Sequence, residues 1–418
     1  MRAFLAPGAH LVPPLEAPAR DALILDRTLG ETMAGALGRL GFEVVRVHSL
    51  AEAEDRARAE STDSLVTLDS LLASPAVLRK FVRAARTKGG ETSLVCALPR
   101  ALGTDHLSHI DGLAPCDLPG GRAPGWSAPL FYLRGAGGTL DGAAPLLLPY
   151  KEQILRLRSP VGVVGAPEHL VGVSDSYLCN VSHWAHVLRL NAAAVAGWWF
   201  ERLRWGGVLG PAWVAWRVLR GFPWYGGRLG GALNGISWGA RVNHTAYLEL
   251  SIVQKGATIG PHASVRNSFI GEGASIGEGA RIFGSVIGKG AFVAANSVVT
   301  GSVVYPGAFA GQLLMQLSLL GPNACAFTNS NFFDLNFTRN IRVAHRGRFV
   351  DSGSRFLGVC LGPDARVSAG VWLGSGREVP PRALLVKPPS EVVAKLGEPE
   401  PDVAHAVADG RLVRVTER

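Results

Sequence analysis

Residues Val253 to Val304 read VQKGATIGPHASVRNSFIGEGASIGEGARIFGSVIGKGAFVAANSVVTGSVV. An aliphatic residue returns every six positions at Val253, Ile259 and Val265, then at Ile270, Ile276 and Ile282, then at Ile287, Val293 and Val299. A small residue usually follows it, as in Ile259-Gly260, Ile270-Gly271, Ile276-Gly277 and Ile287-Gly288. A period of six fits neither an amphipathic helix nor an alternating strand, so it reads as a repeat. The physical solution is a parallel β-helix with triangular coils, one hexad per face. The aliphatic side chain points inward onto its equivalent in the next coil, and the small residue lets the chain turn. The steps Val265 to Ile270 and Ile282 to Ile287 are one residue short and mark corners. This spacing belongs to the left-handed class, an exception to right-handed parallel connections.

Outward from this stretch, the repeat begins near Ile236 or Val242 and runs to about Gly311. An excursion is expected at 312–355, and the period resumes at Phe356, Leu361, Val367, Leu373 and Val379 before closing at Arg382 to Val386. A loop that long in a compact fold is usually functional or disordered. It holds Asn323, Asn329, Asn331, Asn336 and Asn340 with Arg339, Arg342, His345 and Arg346, a polar and basic set suited to an anionic ligand.

Before the repeat, residues 1–190 alternate strand-like and helix-like segments. Arg2 to Leu5 is a short apolar run. Thr28 to Leu40 reads as a helix with a Thr28/Glu31 capping box and Gly41 at its end. Phe42 to Val47, Ser64 to Leu68 and Thr92 to Ala97 read as strands, and Pro75 to Arg86 as a helix. The alternation predicts an α/β domain with a mostly parallel sheet and helices on both faces. Ligands of such sheets bind beyond the carboxyl ends of the strands, where Asp69 falls. Residues 98–150 are rich in Gly and Pro and read as a loop or small subdomain, and 160–173 as strand and turn. Helical pattern starts near Val181.

Residues 191–236 change character. Eight of the ten tryptophans lie between Trp184 and Trp238, and Arg202, Arg204, Arg217, Arg220 and Arg228 face only Glu201. Two short helices are expected there, one through Trp198-Trp199-Phe200 and one from Pro211 to Arg220. They form either a connector packed between the two domains or, across 190–230, a peripheral contact with an anionic membrane surface. Residues 387–418 read as a tail or a short strand pair.

The 418 residues suit two or three domains, and 47% hydrophobic content supplies ample core. The five cysteines are scattered without a CxxC, which argues against a disulfide framework or a zinc knuckle. The opening MRAFLAPGAHLVPPL lacks a signal-peptide apolar run, and no stretch reaches the ~18 apolar residues of a membrane span, so a cytoplasmic protein is expected. The net charge of +9 is dispersed rather than clustered with aromatics on a nucleic-acid module. That field suits anionic small molecules and argues against nucleic acid.

The order of parts resembles the bifunctional N-acetylglucosamine-1-phosphate uridylyltransferases and their relatives, sugar-phosphate nucleotidyltransferases fused to left-handed hexapeptide-repeat acyltransferases. Leu65-Val66-Thr67-Leu68-Asp69, with Leu71 and Ser74-Pro75, is similar to the segment whose Asp binds the catalytic magnesium. Gly172-Val173-Ser174-Asp175 is similar to the Gly-Val-Asn segment with the second metal ligand. Val242-Asn243-His244-Thr245-Ala246 and Leu373-Gly374-Ser375-Gly376-Arg377-Glu378-Val379-Pro380 resemble the start and close of the family's β-helix.

The resemblance implies Mg2+ on Asp69 and Asp175, acetyl-CoA or another acyl-CoA as co-substrate, nucleotide and sugar-phosphate substrates, and a homotrimer. For acyl transfer a His near the thioester would deprotonate the acceptor, and His345 and His262 are the candidates beside His244. Gly8, Asn340 and Arg342 are the candidate cofactor-binding residues. His183 and His186 read as helix surface and interface, since no third metal ligand accompanies them. The family's Gly-rich loop departs: Ala6-Pro7-Gly8-Ala9-His10-Leu11-Val12-Pro13-Pro14 has one Gly, no early Arg and no Lys before Lys80, leaving Arg20 or Arg27 to supply charge. Pro13 and Pro14 also remove N–H donors. Two alternatives therefore stand beside nucleotidyl transfer: an acyltransferase alone, and a non-catalytic sugar-nucleotide-binding or scaffold protein.

Overall fold

The computed structural model describes residues 1–8, 11–89, 92–118, 122–158, 168–205, 212, 215–216, 231, 233–393, 399 and 401–415. Its first part is a mixed sheet with helices. In chain order the elements that matter are β1 (Arg2–Ala6), α1 (Leu29–Arg39), β2 (Glu43–Arg46), α2 (Leu50–Ala59), β3 (Ser64–Leu68), β4 (Leu71–Ala73) and α3 (Pro75–Thr87). They are followed by β5 (Ser93–Pro99), α4 (Leu102–Ser108), β6 (Ala114–Leu118), β7 (Arg122–Leu133), β8 (Ala144–Leu147), β9 (Leu178–Asn180) and α5 (Trp184–Trp205). The sheet order is β8-β5-β7-β3-β1-β2, with β6 on β7.

Local chemistry sets the helix starts. Thr28 accepts from the Glu31 N–H while Glu31 accepts from the Thr28 N–H, the expected capping box. Ser74 caps α3 through the Val77 N–H, with Pro75 in the first turn, where its missing N–H costs nothing.

One sheet expectation is corrected. β1 pairs in parallel with β2 and β3, and β5 with β8, but β7 runs antiparallel between β3 and β5. Pro124, Gly125 and Pro129 disguise β7 in the sequence. The register of β7 against β5 shifts between Ser127 and Phe131, which brackets Pro129 in an irregularity where its lost donor is tolerated. The Pro129 carbonyl instead accepts from the Thr67 hydroxyl at 2.8 Å.

From Gly235 the chain winds through three parallel sheets of eight, eight and five strands, an arrangement consistent with a parallel β-helix. Val253, Ile270, Ile287, Val304, Leu320 and Leu361 stack in register inside the first sheet. The inward side chains form a core of their own. At one corner Ser251, Ser268, Ser285, Ser302 and Ser318 make a buried ladder. Each hydroxyl accepts the backbone N–H of the serine one coil on, and Val359 donates to the last.

The repeat does not break at residue 312. Strands Leu314–Gln316, Leu319–Leu320, Cys325–Ala326 and Asn331–Phe332 continue it, with Met315, Leu320, Ala326 and Phe332 buried inside. Only Leu320 of these inward residues is followed by Gly, and the coil from Val299 to Met315 is one residue shorter, so the period is disguised. The true excursion follows Phe332 and contains the hairpin Arg342–His345/Arg348–Asp351. The strand pair His405–Ala408/Arg411–Arg414 closes the described chain.

Helix α5 joins the two parts. It absorbs both the helical pattern from Val181 and the short helix expected through Trp198-Trp199-Phe200 into 22 residues. Most of the helix expected over 211–220, most of the connector beyond Trp205 and all of 160–167 lie outside the described residues. A helix of this length is about 33 Å long, and eight stacked strands span about 34 Å, so α5 can run the length of the first sheet. Trp198 packs near Gly235 in the first coil, and Trp184 donates to Glu378 in the last strand of that sheet. The outward residues of the sheet (Ile252, Phe269, Val286, Val303, Leu319 and Cys360) are all buried in one core with α5 and the first part. Among the described residues no helix is long and apolar enough to cross a membrane.

Candidate functional site

Asp69 stands at the carboxyl end of β3, as the strand reading expects. The Gly8 N–H donates to its Oδ1 at 2.7 Å, and Arg20 Nη1 lies 3.2 Å from its Oδ2. Gly8 approaches so closely that a Cβ there would meet Ser70 Oγ at 2.4 Å. Both carboxylate oxygens thus face N–H donors rather than the convergent oxygens that a magnesium ion requires.

Asp175 does not join Asp69. β4 and β9 pair antiparallel, and the ladder extends from Ser70–Val181 to Ser74–Tyr177 through backbone hydrogen bonds. Asp69 lies just past one end of that ladder and Asp175 past the other. Asp175 Oδ1 accepts from the Ser176 hydroxyl at 2.7 Å and lies 3.7 Å from Lys80 Nζ. The two aspartates expected to share magnesium are therefore apart, each facing a cation, and this donor set does not fit that ion. Among the described residues no group of three His, Cys, Asp or Glu side chains gathers to hold a metal.

The loop in the place of the family's phosphate loop is docked on the β-helix. Pro14 O lies against Gly362, and Leu11, Pro13 and Pro14 share a cleft with Pro380 and Pro381. The Leu23 N–H donates to the Tyr305 hydroxyl at 3.0 Å, and the Leu25 N–H donates to Asn191 Oδ1 at 2.7 Å. The prolines that looked like losses make apolar contact surface for the last coils.

A polar cluster lies where α5, the hairpin and the last coils meet. Fully buried His183 accepts the Ala185 N–H on Nδ1, so its Nε2 carries the proton toward Glu378 Oε1 at 3.0 Å and Ala344 O at 3.2 Å. His186 accepts the Ser182 N–H on Nδ1, and its Nε2–H donates to His109 O. Burial pushes His186 down to about 3, so it stays neutral. These two histidines are interior interface groups rather than helix surface.

His345, in the hairpin, is buried, and burial lowers its pKa despite Nε2 lying 3.2 Å from Asp111 Oδ2. Arg346 Nη1 lies 3.6 Å from the same oxygen. Asp111 and Ile110 both hold φ of +61°, a left-handed conformation that a β-branched residue rarely adopts. Sequence reasoning passed over Asp111, because nothing in His109-Ile110-Asp111-Gly112 marks it until the fold brings it to His345.

Asp111 also lines a cleft of about 430 Å3 with Ser127, Pro129, Phe131, Asp141 and Asn180. Ser127 and Pro129 belong to β7 beside the carboxyl end of β3, because Thr67 pairs with Leu130. Asn180 Oδ1 accepts from Ser70, next to Asp69, at 2.7 Å. The cleft thus touches the Asp69 end through Asn180 and the β-helix insertion through Asp111.

The remaining expected residues serve the scaffold. His262 is exposed at a corner with φ +55°, and its N–H donates to Thr245 Oγ1 at 2.9 Å. His244 is exposed in the first coils. Asn340 Nδ2 donates to Asp351, and Arg342 Nη2 donates to the Phe349 carbonyl, so both brace the hairpin. No protein-family model matches the chain, and no curated protein matches it.

Proposed function

We propose that the chain is a divergent homologue of the sugar-phosphate nucleotidyltransferases fused to a left-handed, acyltransferase-type β-helix. Its α/β part binds a sugar phosphate or nucleotide sugar, without magnesium-dependent nucleotidyl transfer, in the service of nucleotide-sugar or cell-envelope polysaccharide biosynthesis. The observation that carries this reading is the state of the segment after β1. Its Gly8 N–H is committed to Asp69, and its prolines and Leu23 are committed to the β-helix. Among its described residues a loop held in this way offers no array of N–H groups to a triphosphate, and both Asp69 oxygens already face N–H donors.

Support for a sugar ligand comes from the cleft. Asp111, Asp141 and Asn180 supply acceptors and an amide for hydroxyl groups, and Pro129 and Phe131 supply apolar surface for the C–H face of a ring. His345 is buried against Asp111, so it does not stand open beside an acyl acceptor. This disfavours a general-base role for His345 in transfer from an acyl-CoA and leaves exposed His262 as the candidate base of that alternative. A homotrimer through the β-helix is part of the same proposal. It is supported by an exposed aromatic ladder in which Phe292 and Phe309 stack at 5.5 Å and Phe309 meets Phe327 at 5.9 Å.

The test is calorimetric titration with UDP-N-acetylglucosamine and N-acetylglucosamine 1-phosphate, with and without Mg2+, beside a pyrophosphate-release assay with UTP. Binding that needs no Mg2+, with no pyrophosphate formed, is expected. Mg2+-dependent pyrophosphate release abolished by Asp69→Ala would overturn the reading in favour of an active nucleotidyltransferase.

A further inference from the structure

The cleft and the ligand proposed for it are mismatched in charge. Its lining carries Asp111 and Asp141 and no Lys or Arg among the described residues. A phosphate laid on that lining alone would meet like charge. Two cations stand one step back. Arg20 is bridged between Asp69 at 3.2 Å and Asp21 at 3.9 Å, and Ser70 intervenes between Asp69 and the lining residue Asn180. Arg346 is nearer, with Nη1 3.6 Å from the lining residue Asp111 and its side chain half exposed.

The fold fixes where Arg346 stands. It is the first of two turn residues between His345 and Arg348, with φ of +48° at Arg346 and +76° at Gly347. Paired left-handed residues make the tight hairpin turn whose twist matches its strands. The hairpin is anchored where the Ala344 carbonyl meets His183 and where the Ser352 carbonyl accepts from half-buried Arg189. The tip is therefore held beside the cleft, while the exposed pair with Asp111 is weak enough for the guanidinium to change partner.

We propose that Arg346, delivered from the β-helix insertion, is the anion-binding residue of the cleft. The sugar ring lies in the cleft with hydroxyls donating to Asp141 and Asp111. The phosphate sits at the rim, where the guanidinium fork turns from Asp111 to grip two phosphate oxygens. Asp111 keeps its contact with His345. The ligand site is thus composite, and the buried seam between the two parts holds its halves in register. This inference rests on the sugar-ligand reading above.

The experiment titrates N-acetylglucosamine 1-phosphate and neutral N-acetylglucosamine into the full chain and its variants. Arg346→Ala and Arg346→Gln are expected to weaken the phosphorylated ligand about tenfold or more, the scale of one charge-assisted contact. Both should leave the neutral sugar within about twofold, and Arg346→Lys should recover part of the loss. Arg366→Ala, an equal charge change on an exposed β-helix strand, should alter neither ligand. Equal effects on both sugars, or none on either, would remove Arg346 as the anion site while leaving the cleft reading standing. A wild-type chain that binds neither sugar overturns the cleft reading and this inference with it.

Discussion

The indole N–H of Trp184 donates to Oε1 of Glu378 across 2.9 Å, and that same oxygen lies 3.0 Å from Nε2 of His183. One carboxylate oxygen in the last strand of the β-helix sheet therefore receives two buried N–H groups from the start of α5. In a seam made mostly of aliphatic and aromatic contacts, these directional bonds help fix the register of helix against coil, as does the Trp199 indole N–H on the Leu250 carbonyl at 3.3 Å.

Removing that acceptor leaves the buried Trp184 N–H unmet and the His183 N–H with the Ala344 carbonyl alone. Glu378→Ala is expected to lower the unfolding free energy by about 1–3 kcal/mol, the cost of leaving a buried donor unmet. Glu378→Gln retains an acceptor oxygen and should cost less than half as much. Urea denaturation followed by tryptophan fluorescence measures both. Equal losses in the two variants would show that charge, not acceptance, matters there.

The buried histidines make stability depend on acidity in a defined direction. His186 has its folded pKa depressed to about 3, and burial lowers those of His345 and His109 as well. Below the unfolded value of about 6.5, the unfolded chain takes up protons that the folded chain refuses. Stability is thus fully present above about 6.5 and falls as the pH drops toward 3. From His186 alone the loss at pH 5 is ~2 kcal/mol. Denaturation midpoints compared at pH 7.5 and pH 5 should differ less in His186→Asn than in the wild type.

The serine ladder predicts a cost out of proportion to the size of a hydroxyl. Ser285 Oγ accepts the Ser302 N–H at 3.1 Å and donates to the Phe283 carbonyl at 2.9 Å, in a fully buried corner. Ser285→Ala leaves that N–H without its partner and should cost about 1–3 kcal/mol. Ser264→Ala, on an outward position of a neighbouring strand, is expected to stay within about 0.5 kcal/mol. Comparable losses at both positions would mean that the ladder contributes nothing special.

These effects differ in how visible their causes are in the sequence. The six-residue period is legible from Val253 to Val299 because each inward residue is branched and most are followed by something small. It fades at Met315, Leu320, Ala326 and Phe332, where the pocket inside the coil is filled by other shapes. β7 is hidden by Pro124 and Pro129, residues that propensity assigns to loops and the sheet accommodates at an irregular register. The candidate cleft was half legible. Strand logic brings Asp69 to the right end of the sheet, but the Asp111–His345 contact joins residues far apart in the chain and has no local signature. The docking of the first part was legible in principle. Ile252-Val253, Phe269-Ile270, Val286-Ile287, Val303-Val304 and Leu319-Leu320 are apolar at both positions, and an outward apolar ladder on one face in three calls for a cover.

That ladder gives the sharpest test of how the two parts are joined. Val286 faces α5 while Ile287, its neighbour, faces the interior of the coil, and both are buried. Val286→Asp places an unpaired carboxylate in the seam but leaves every inward side chain of the coil in place. Such a group costs several kcal/mol unless it is hydrated or neutralised, so the seam should open before the coils unfold. The tryptophan fluorescence of α5 is then expected to change at lower denaturant than the far-ultraviolet β-sheet signal, whereas one coincident transition is expected of the wild type. Ile287→Asp, by contrast, should abolish both signals together, because the charge would lie inside the stack. A Val286→Asp protein whose two signals still coincide, within about 0.5 kcal/mol of wild type, would mean that the apolar seam does not hold the two parts together.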